Sequence, residues 1–252
     1  MSNIKNKKHV SDRCVYGLRS GSILLSALFG IVSTVTMIGW LIIPNSSQLI
    51  GTSINRVKTK EKVVALTFDD GPNSPFTNQV LDVLKEHHIK ATFFVVGAYA
   101  QQFPDITKEI YGAGHELGNH TWSHKVLVGK SCRFIREQIN STDLLLRDLG
   151  YTGPIYFRAP KGLKFINLAK VLAEKKRPHI LFDVVAWDWS RPGVSKIVKN
   201  VIKNVRSGSI ILLHDGGGDR SQTVIATDII IKKLQKQGYR FVTISELLSK
   251  RA

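Results

Sequence analysis

From Val63 onward the chain alternates short apolar stretches with longer amphipathic ones, and this alternation restricts its architecture more than any other feature. The strand candidates are VVALTF, ATFFVV, HELGNH, IYFRA, HILFDVVAW, SIILLH and RFVTI. Helical stretches fall between them at 78–88, 133–149, 194–205 and 223–237. Several strand candidates are apolar on both faces, as strands covered on both sides are. Parallel strands need crossover connections, so the expected fold class is α/β, either an open doubly wound sheet or a (β/α) barrel. In both, chemistry collects where the strands end.

The region before Val63 reads differently. GSILLSALFGIVSTVTMIGWLII, residues 21–43, contains no charged residue. At about 1.5 Å per residue it reaches about 30–35 Å, the thickness of a bilayer's hydrocarbon core. It exceeds the apolar core of a signal peptide, about 7–15 residues, and no small-residue cleavage site follows. A single transmembrane helix over 21–43 is therefore expected. A basic cytoplasmic N-terminus (1–20) precedes it, a polar stalk (44–61) follows Pro44, and a globular domain fills 62–252. Lys5, Lys7, Lys8, Arg13 and Arg19 favour the N-terminus inside; Arg56, Lys58, Lys60 and Lys62 beyond the span make that bias modest.

The formal charge of +17 favours anionic partners. Those partners could be nucleic acid, anionic lipid or an acidic wall polymer; the charge is spread along the chain with no nucleic-acid-binding motif, which argues against nucleic acid. Cys14 and Cys132 are too few for a disulfide framework and fall on opposite sides of the expected membrane span; Cys132 reads as a buried structural thiol.

The chemically capable residues fall at strand ends. Asp69 and Asp70 close VVALTF, HTWSH (His120 to His124) follows HELGN, Arg158 closes IYFR, and His214 with Asp215 closes SIILL. Singly, each has an ordinary explanation: Asp-Asp-Gly-Pro is a common turn, and a histidine pair can simply face solvent. Together they suit one reaction centre. Two histidines four apart on a helical turn, with one carboxylate, make a metal set that leaves a position open to water or substrate. Adjacent strand side chains point to opposite faces, so both acids serve one site only if the loop turns the second back. One could then ligate while the other takes a proton, with a cation such as Arg158 keeping it ionised, and His214 could protonate a leaving group.

TFDDGP, GHELGNHTWSH, FRAP, DW and GSIILLHD, in this order, resemble the polysaccharide deacetylases of the NodB-homology class, carbohydrate esterase family 4, over nearly all of 62–252. GGGDRSQT after His214 is similar to bacterial members. The resemblance implies a distorted (β/α) barrel and a metal-dependent hydrolase that removes acetyl groups from a glycan. It implies Asp69 as catalytic base, Asp70, His120 and His124 as metal ligands, Arg158 paired with Asp69, and His214 as general acid. Pro160, Lys161, Trp189 and Leu212 would line the substrate site, Leu212 against the acetyl methyl. The metal implied is zinc first, with cobalt, manganese or nickel as alternatives. The substrate implied is an acetylated glycan, with peptidoglycan N-acetylglucosamine or N-acetylmuramic acid first and chitin-like chains second. The expected setting is a single-pass cell-membrane protein whose catalytic domain faces the wall.

Two positions depart from the pattern. Lys161 stands where many members carry Tyr, which alters the substrate-lining side chain. Val185 stands where an Asp usually faces the catalytic His; Asp183 and Asp188 are the candidate substitutes, and Asp188 is preferred. These departures keep a second reading open, a catalytically weak wall-binding or morphogenesis protein on the same barrel. A third is an amidohydrolase acting on a small nonglycan amide.

Overall fold

The computed structural model describes residues 51–252. The basic N-terminus, the expected transmembrane span and most of the stalk lie outside the described residues.

The domain is a parallel α/β fold. Its central strand is β2 (Val63–Asp69), with all seven residues buried. One edge of β2 pairs with β7 (Ile210–His214). The other is shared by β3 (Thr92–Val95), which takes the C-terminal half, and β8 (Arg240–Val242), which takes the N-terminal half. β4 (Glu116–Asn119) extends the sheet beyond β3, and β6 (Val184–Val185) extends it beyond β7. A short pair, β1 (Ser53–Ile54) with β5 (His179–Ile180), is tied to β4 through single parallel bridges from Phe157 to Asn119 and to His179. Only residues 181–183 separate β5 from β6, so the short pair meets the main sheet there by chain continuity, without a ladder between them.

Three expectations need correcting. IYFRA supplies only the Phe157 bridges, because Gly153-Pro154 before it and Pro160 after it leave little room for a ladder. HILFDVVAW breaks into β5 and β6. Residues 53–57, expected in the stalk, belong to the domain: β1 pairs with β5, Arg56 bridges Ser209, and Val57 is buried. The sequence signal is weak there because a strand so short shows no periodicity.

The helices follow in chain order: α1 (Phe76–Glu86), α2 (Gly97–Gln102), α3 (Pro104–Gly112), α4 (Cys132–Asp148), α5 (Ile166–Glu174), α6 (Val194–Asn204), α7 (Ser221–Lys236) and α8 (Ile244–Ser249). Four match the expected stretches within a residue or two. α4 shows the logic of the rest: Ser131 caps it by accepting from Phe134 N at 3.2 Å, and it buries Ile135, Ile139, Thr142 and Leu146, one stripe at helical spacing. α2, α3, α5 and α8 are short, with too few turns to register as a period.

The pleat of β2 separates two cores and aims the site. Val64, Leu66 and Phe68 pack outward against Leu84 of α1, Val201 of α6 and Leu234 of α7. Val63 and Ala65 point the other way, into a cluster with Phe94, Ile180 and Ile210. Truncating one such buried Leu to Ala costs about 2–5 kcal/mol. Continuing the alternation puts Thr67 and Asp69 on the inner face. On β7, Ile211 and Leu213 face outward by the same rule, leaving Leu212 and His214 facing in.

Candidate active site

Asp69 ends β2 on the inner face, and the chain there reverses its usual backbone habit. Asp70 adopts φ 72°, a left-handed conformation uncommon for a residue with a Cβ. That turn brings the second carboxylate back beside the first. Gly71 and Gly216 make the turn feasible: a Cβ on Gly71 would lie 2.1 Å from Asp215 Oδ2, and one on Gly216 only 1.9 Å from the Asp70 carbonyl oxygen.

His120 and His124 converge on Asp70, although not from a helix. They sit in the loop after β4, where Thr121 (φ 70°) and His124 (φ 54°) fold the backbone tightly. Thr121 N donates to Asn119 Oδ1, His124 N to Thr121 Oγ1, and Ser123 donates twice to Gln138 of α4. The expected helical turn is thus replaced by a side-chain-braced loop with the same outcome. His120 Nε2 is 3.4 Å and His124 Nε2 2.9 Å from Asp70 Oδ1. Burial alone would raise the Asp70 carboxyl; the two imidazoles outweigh it and hold it well below the usual carboxylate range.

This set fits a divalent metal. Ligand atoms about 2.1 Å from one ion at tetrahedral angles stand about 3.4 Å apart. The three donor atoms here lie within 4.8 Å of one another, and Asp70 Oδ1 is buried without accepting a hydrogen bond. His120 Nδ1 lies 2.8 Å from the Arg158 carbonyl oxygen; donating there leaves Nε2 bare toward Asp70.

Arg158, fully buried, spends its guanidinium on four acceptors. Nη1 donates to Asp69 Oδ1 at 2.7 Å and to Thr67 Oγ1 at 2.9 Å, while Nε and Nη2 reach the carbonyls of Ile180 and Leu181. Phe94 lies beneath its plane, 4.0 Å from ring centre to guanidinium carbon. Burial pulls the Arg158 pKa down and Asp69 opposes it; the group stays charged.

His214, on β7, stands beside Asp69 in the register of the two strands, and its partner is Asp188. Asp188 Oδ1 lies 2.9 Å from His214 Nδ1, and Oδ2 accepts from His214 N (2.8 Å) and Thr223 Oγ1 (2.9 Å). Asp188 lies not on a strand but in a 3-10 turn (Asp188–Ser190) entered through Trp187 at φ 61°, which points the acid inward. Asp183 sits at the far end of β7, accepting from Ser209 Oγ and Ile210 N. Val185 is placed in β6 opposite Leu212. Burial works against a charged His214, but the Asp188 hydrogen bond and the charges of Asp188, Asp69 and Asp70 leave its pKa raised.

These groups open on one cavity of about 360 Å³. Lys161, Trp189 and Leu212 line it as expected, whereas Pro160 is buried in the turn that carries Lys161 and is not among the lining residues. Trp189 meets His214 edge-on at 5.2 Å, and the half-exposed Trp187 leans on Trp189 at 4.9 Å. Cys132 is half-buried at the start of α4, away from this cavity, with Sγ 3.9 Å from the Asn167 carbonyl. Sequence reasoning missed Thr67 and Thr223, which hold Arg158 and Asp188, and Phe182, Gly162 and Arg220, which complete the wall. Thr223 and Arg220 belong to GGGDRSQT, the signal that pointed to them. Asp215, named at the end of SIILL, is buried beneath the Asp70 turn, where burial pushes its carboxyl up to about 7 despite a bond from Thr77 Oγ1.

The chain is similar to several known proteins. A family model described as polysaccharide deacetylase matches residues 56–177. A peptidoglycan-N-acetylglucosamine deacetylase of Bacillus cereus is 43% identical over 199 residues, covering 76% of this chain and 91% of the relative. Among solved structures, the Bc1960 peptidoglycan N-acetylglucosamine deacetylase superposes with a TM-score of 0.75 at 37% identity, covering 79% of this chain and 94% of that one. BA3943 of Bacillus anthracis, a pseudoenzyme of carbohydrate esterase family 4, superposes with a TM-score of 0.74 at 29% identity over 80% of this chain and 70% of its own.

Proposed function

Because the chain belongs to the polysaccharide deacetylase family, carbohydrate esterase family 4, we propose that it is a membrane-anchored, metal-dependent deacetylase of cell-wall amino sugars, with peptidoglycan N-acetylglucosamine or N-acetylmuramic acid as substrate. One observation carries the reading: the Asp70–His120–His124 set, the Arg158-paired Asp69 and the Asp188-paired His214 share a single cavity. A divalent ion, zinc in this proposal, held by Asp70, His120 and His124 would supply Lewis acidity to the acetyl carbonyl and to the hydrolytic water.

The chain's own groups divide the proton work. Water adds its oxygen to the carbonyl carbon, the C–N bond breaks, and acetate and a free amine leave. Asp69, paired with Arg158 at 2.7 Å, takes a proton from the water. His214, kept protonated by Asp188, gives one to the departing nitrogen. Leu212 supplies an apolar wall for the methyl group, and the backbone N–H of Lys161, in its left-handed turn (φ 61°), is assigned to the carbonyl oxygen as its charge grows.

The pseudoenzyme among the structural relatives favours a second reading, a wall-binding protein with little turnover. Full-length protein in detergent, stripped of metal and then reloaded, separates the two when given peptidoglycan and N-acetylglucosamine oligomers. Metal-dependent acetate release is expected from at least one. Folded, metal-loaded protein that binds glycan and releases no acetate would select the binding role. The anchor over 21–43, with the domain outside, is tested by protease accessibility in intact cells.

A further inference from the structure

The parallel contact between Phe157 and β5 stops after one rung, and a side chain takes the next donor. Ile180 N donates to the Phe157 carbonyl at 2.8 Å, and a regular ladder would then pair Ala159 N with the Ile180 carbonyl. That carbonyl accepts from Arg158 Nε instead, at 3.1 Å, and Ala159 N donates to His179 Nε2 at 3.0 Å. At the other end of the same peptide, the Arg158 carbonyl oxygen lies 2.8 Å from His120 Nδ1. One planar peptide is thus held between two imidazoles, its oxygen by a metal-set histidine and its N–H by His179. We propose that His179 is a positioning residue for the metal centre: by fixing the N–H end of the Arg158–Ala159 peptide, it aims the carbonyl that orients the His120 ring. This rests on the metal-dependent reading above.

The state of the ring supports this role. His179 is fully buried at the start of β5 and is not among the residues lining the catalytic cavity. Burial, and then the charge of Lys164, pulls its pKa down to about 3, so the imidazole is neutral and holds one proton. Because Nε2 accepts, that proton sits on Nδ1, which makes no hydrogen bond among the described residues. A buried donor without an acceptor is destabilising, and an apolar side chain would avoid it. What the ring contributes is therefore the Nε2 acceptor. The flanking peptides have their own anchors: Arg158 N donates to the Asn119 carbonyl at 3.0 Å, and Gly162 N to the Ala159 carbonyl at 2.9 Å. The peptide between them turns as one rigid plane, so an N–H that swings carries the carbonyl away from His120. A metal-ligating histidine takes its ring angle and tautomer from the partner of its other nitrogen, and here that partner is held by His179.

The experiment uses metal-stripped full-length protein in detergent, as wild type, His179→Leu and His179→Gln. Leu is apolar and cannot accept, whereas Gln offers an amide oxygen of similar reach. Zinc Kd is read by competition with a chromophoric chelator. His179→Leu is expected to weaken zinc binding roughly tenfold, and His179→Gln to bring it back to within about threefold of wild type. Amide exchange of the metal-free proteins needs no ion: peptides covering 158–162 should exchange roughly tenfold faster in His179→Leu, while β2 and β7 keep wild-type protection. A zinc Kd within about twofold of wild type in His179→Leu, or no recovery in His179→Gln, would overturn the assignment. A wild type that binds no zinc would sink the metal-dependent reading instead. Exchange over 158–162 would then decide whether His179 fixes the peptide, unchanged rates overturning it. Should His179→Leu fail to fold, His179→Met, unbranched and apolar, takes its place.

Discussion

Replacing Asp188 with Asn keeps the side-chain shape and removes its charge. In the native site the two carboxylate oxygens face three donors: His214 Nδ1, His214 N and Thr223 Oγ1. An amide offers one acceptor oxygen and an NH₂ group. Turned either way, its NH₂ meets a donor that the carboxylate had satisfied. With NH₂ toward the ring, Nδ1 must give up its proton to accept, and the doubly protonated imidazole loses its partner. The bond lost is charge-assisted and buried, about 1.5–3 kcal/mol, which corresponds to a fall of roughly 10–100-fold in kcat/KM at neutral pH. The pH profile is more telling than the rate. A general acid works while protonated, so activity falls as pH rises through its pKa. Asp188 holds the His214 pKa up, and the variant's alkaline limb must therefore move to lower pH. Acetate release from an N-acetylglucosamine oligomer, followed across pH for both proteins, measures it, with thermal melts to establish folding. An alkaline limb that stays put, with a rate within about threefold of wild type, would refute the role assigned to Asp188.

Other outcomes follow from single features. Arg158→Met leaves Asp69 buried and unpaired, and should lower stability by about 3–5 kcal/mol, visible as a lower urea midpoint even with metal absent. Gly208→Ala should destabilise by more than about 1 kcal/mol without touching the site, because φ is 80° there and a Cβ would sit 1.8 Å from the Val57 carbonyl oxygen; an unchanged urea midpoint would contradict it. His115 is buried, and burial followed by the charge of Lys90 lowers its pKa to about 4. The unfolded chain therefore binds the extra proton first, so stability should fall as pH drops from about 6.5 toward 4. His115→Gln, which can still accept from Ala91 N, should flatten that dependence in urea melts at pH 7 and pH 4.5.

Much of this was legible in the sequence because long buried strands and a chemical set at their ends both leave patterns. β2 and β7 are apolar at nearly every position, and the residues of the site could be named before their geometry was known. What escaped was local. The His120–His124 spacing suggested a helix, but a Thr, a Ser and a Gln138 acceptor fold the same interval as a loop. Asp188 could be preferred, but not the turn that aims it, which a left-handed Trp187 supplies. β1 was lost because two residues carry no period, and Thr67 and Thr223 because a hydroxyl supporting a charged group looks like any other Thr.

Arg158 sets terms for how such a domain can change over time. Its one side chain touches β2 twice, the last residue of β5 once and the residue after it once, from a position on the intervening segment. Lys has neither the reach nor the fork to replace it. The same contacts hold the interior together and keep the proton acceptor in place, so a substitution that loosens residues 180–181 would surface as lost turnover. Drift in that part of the fold is therefore policed by the reaction itself.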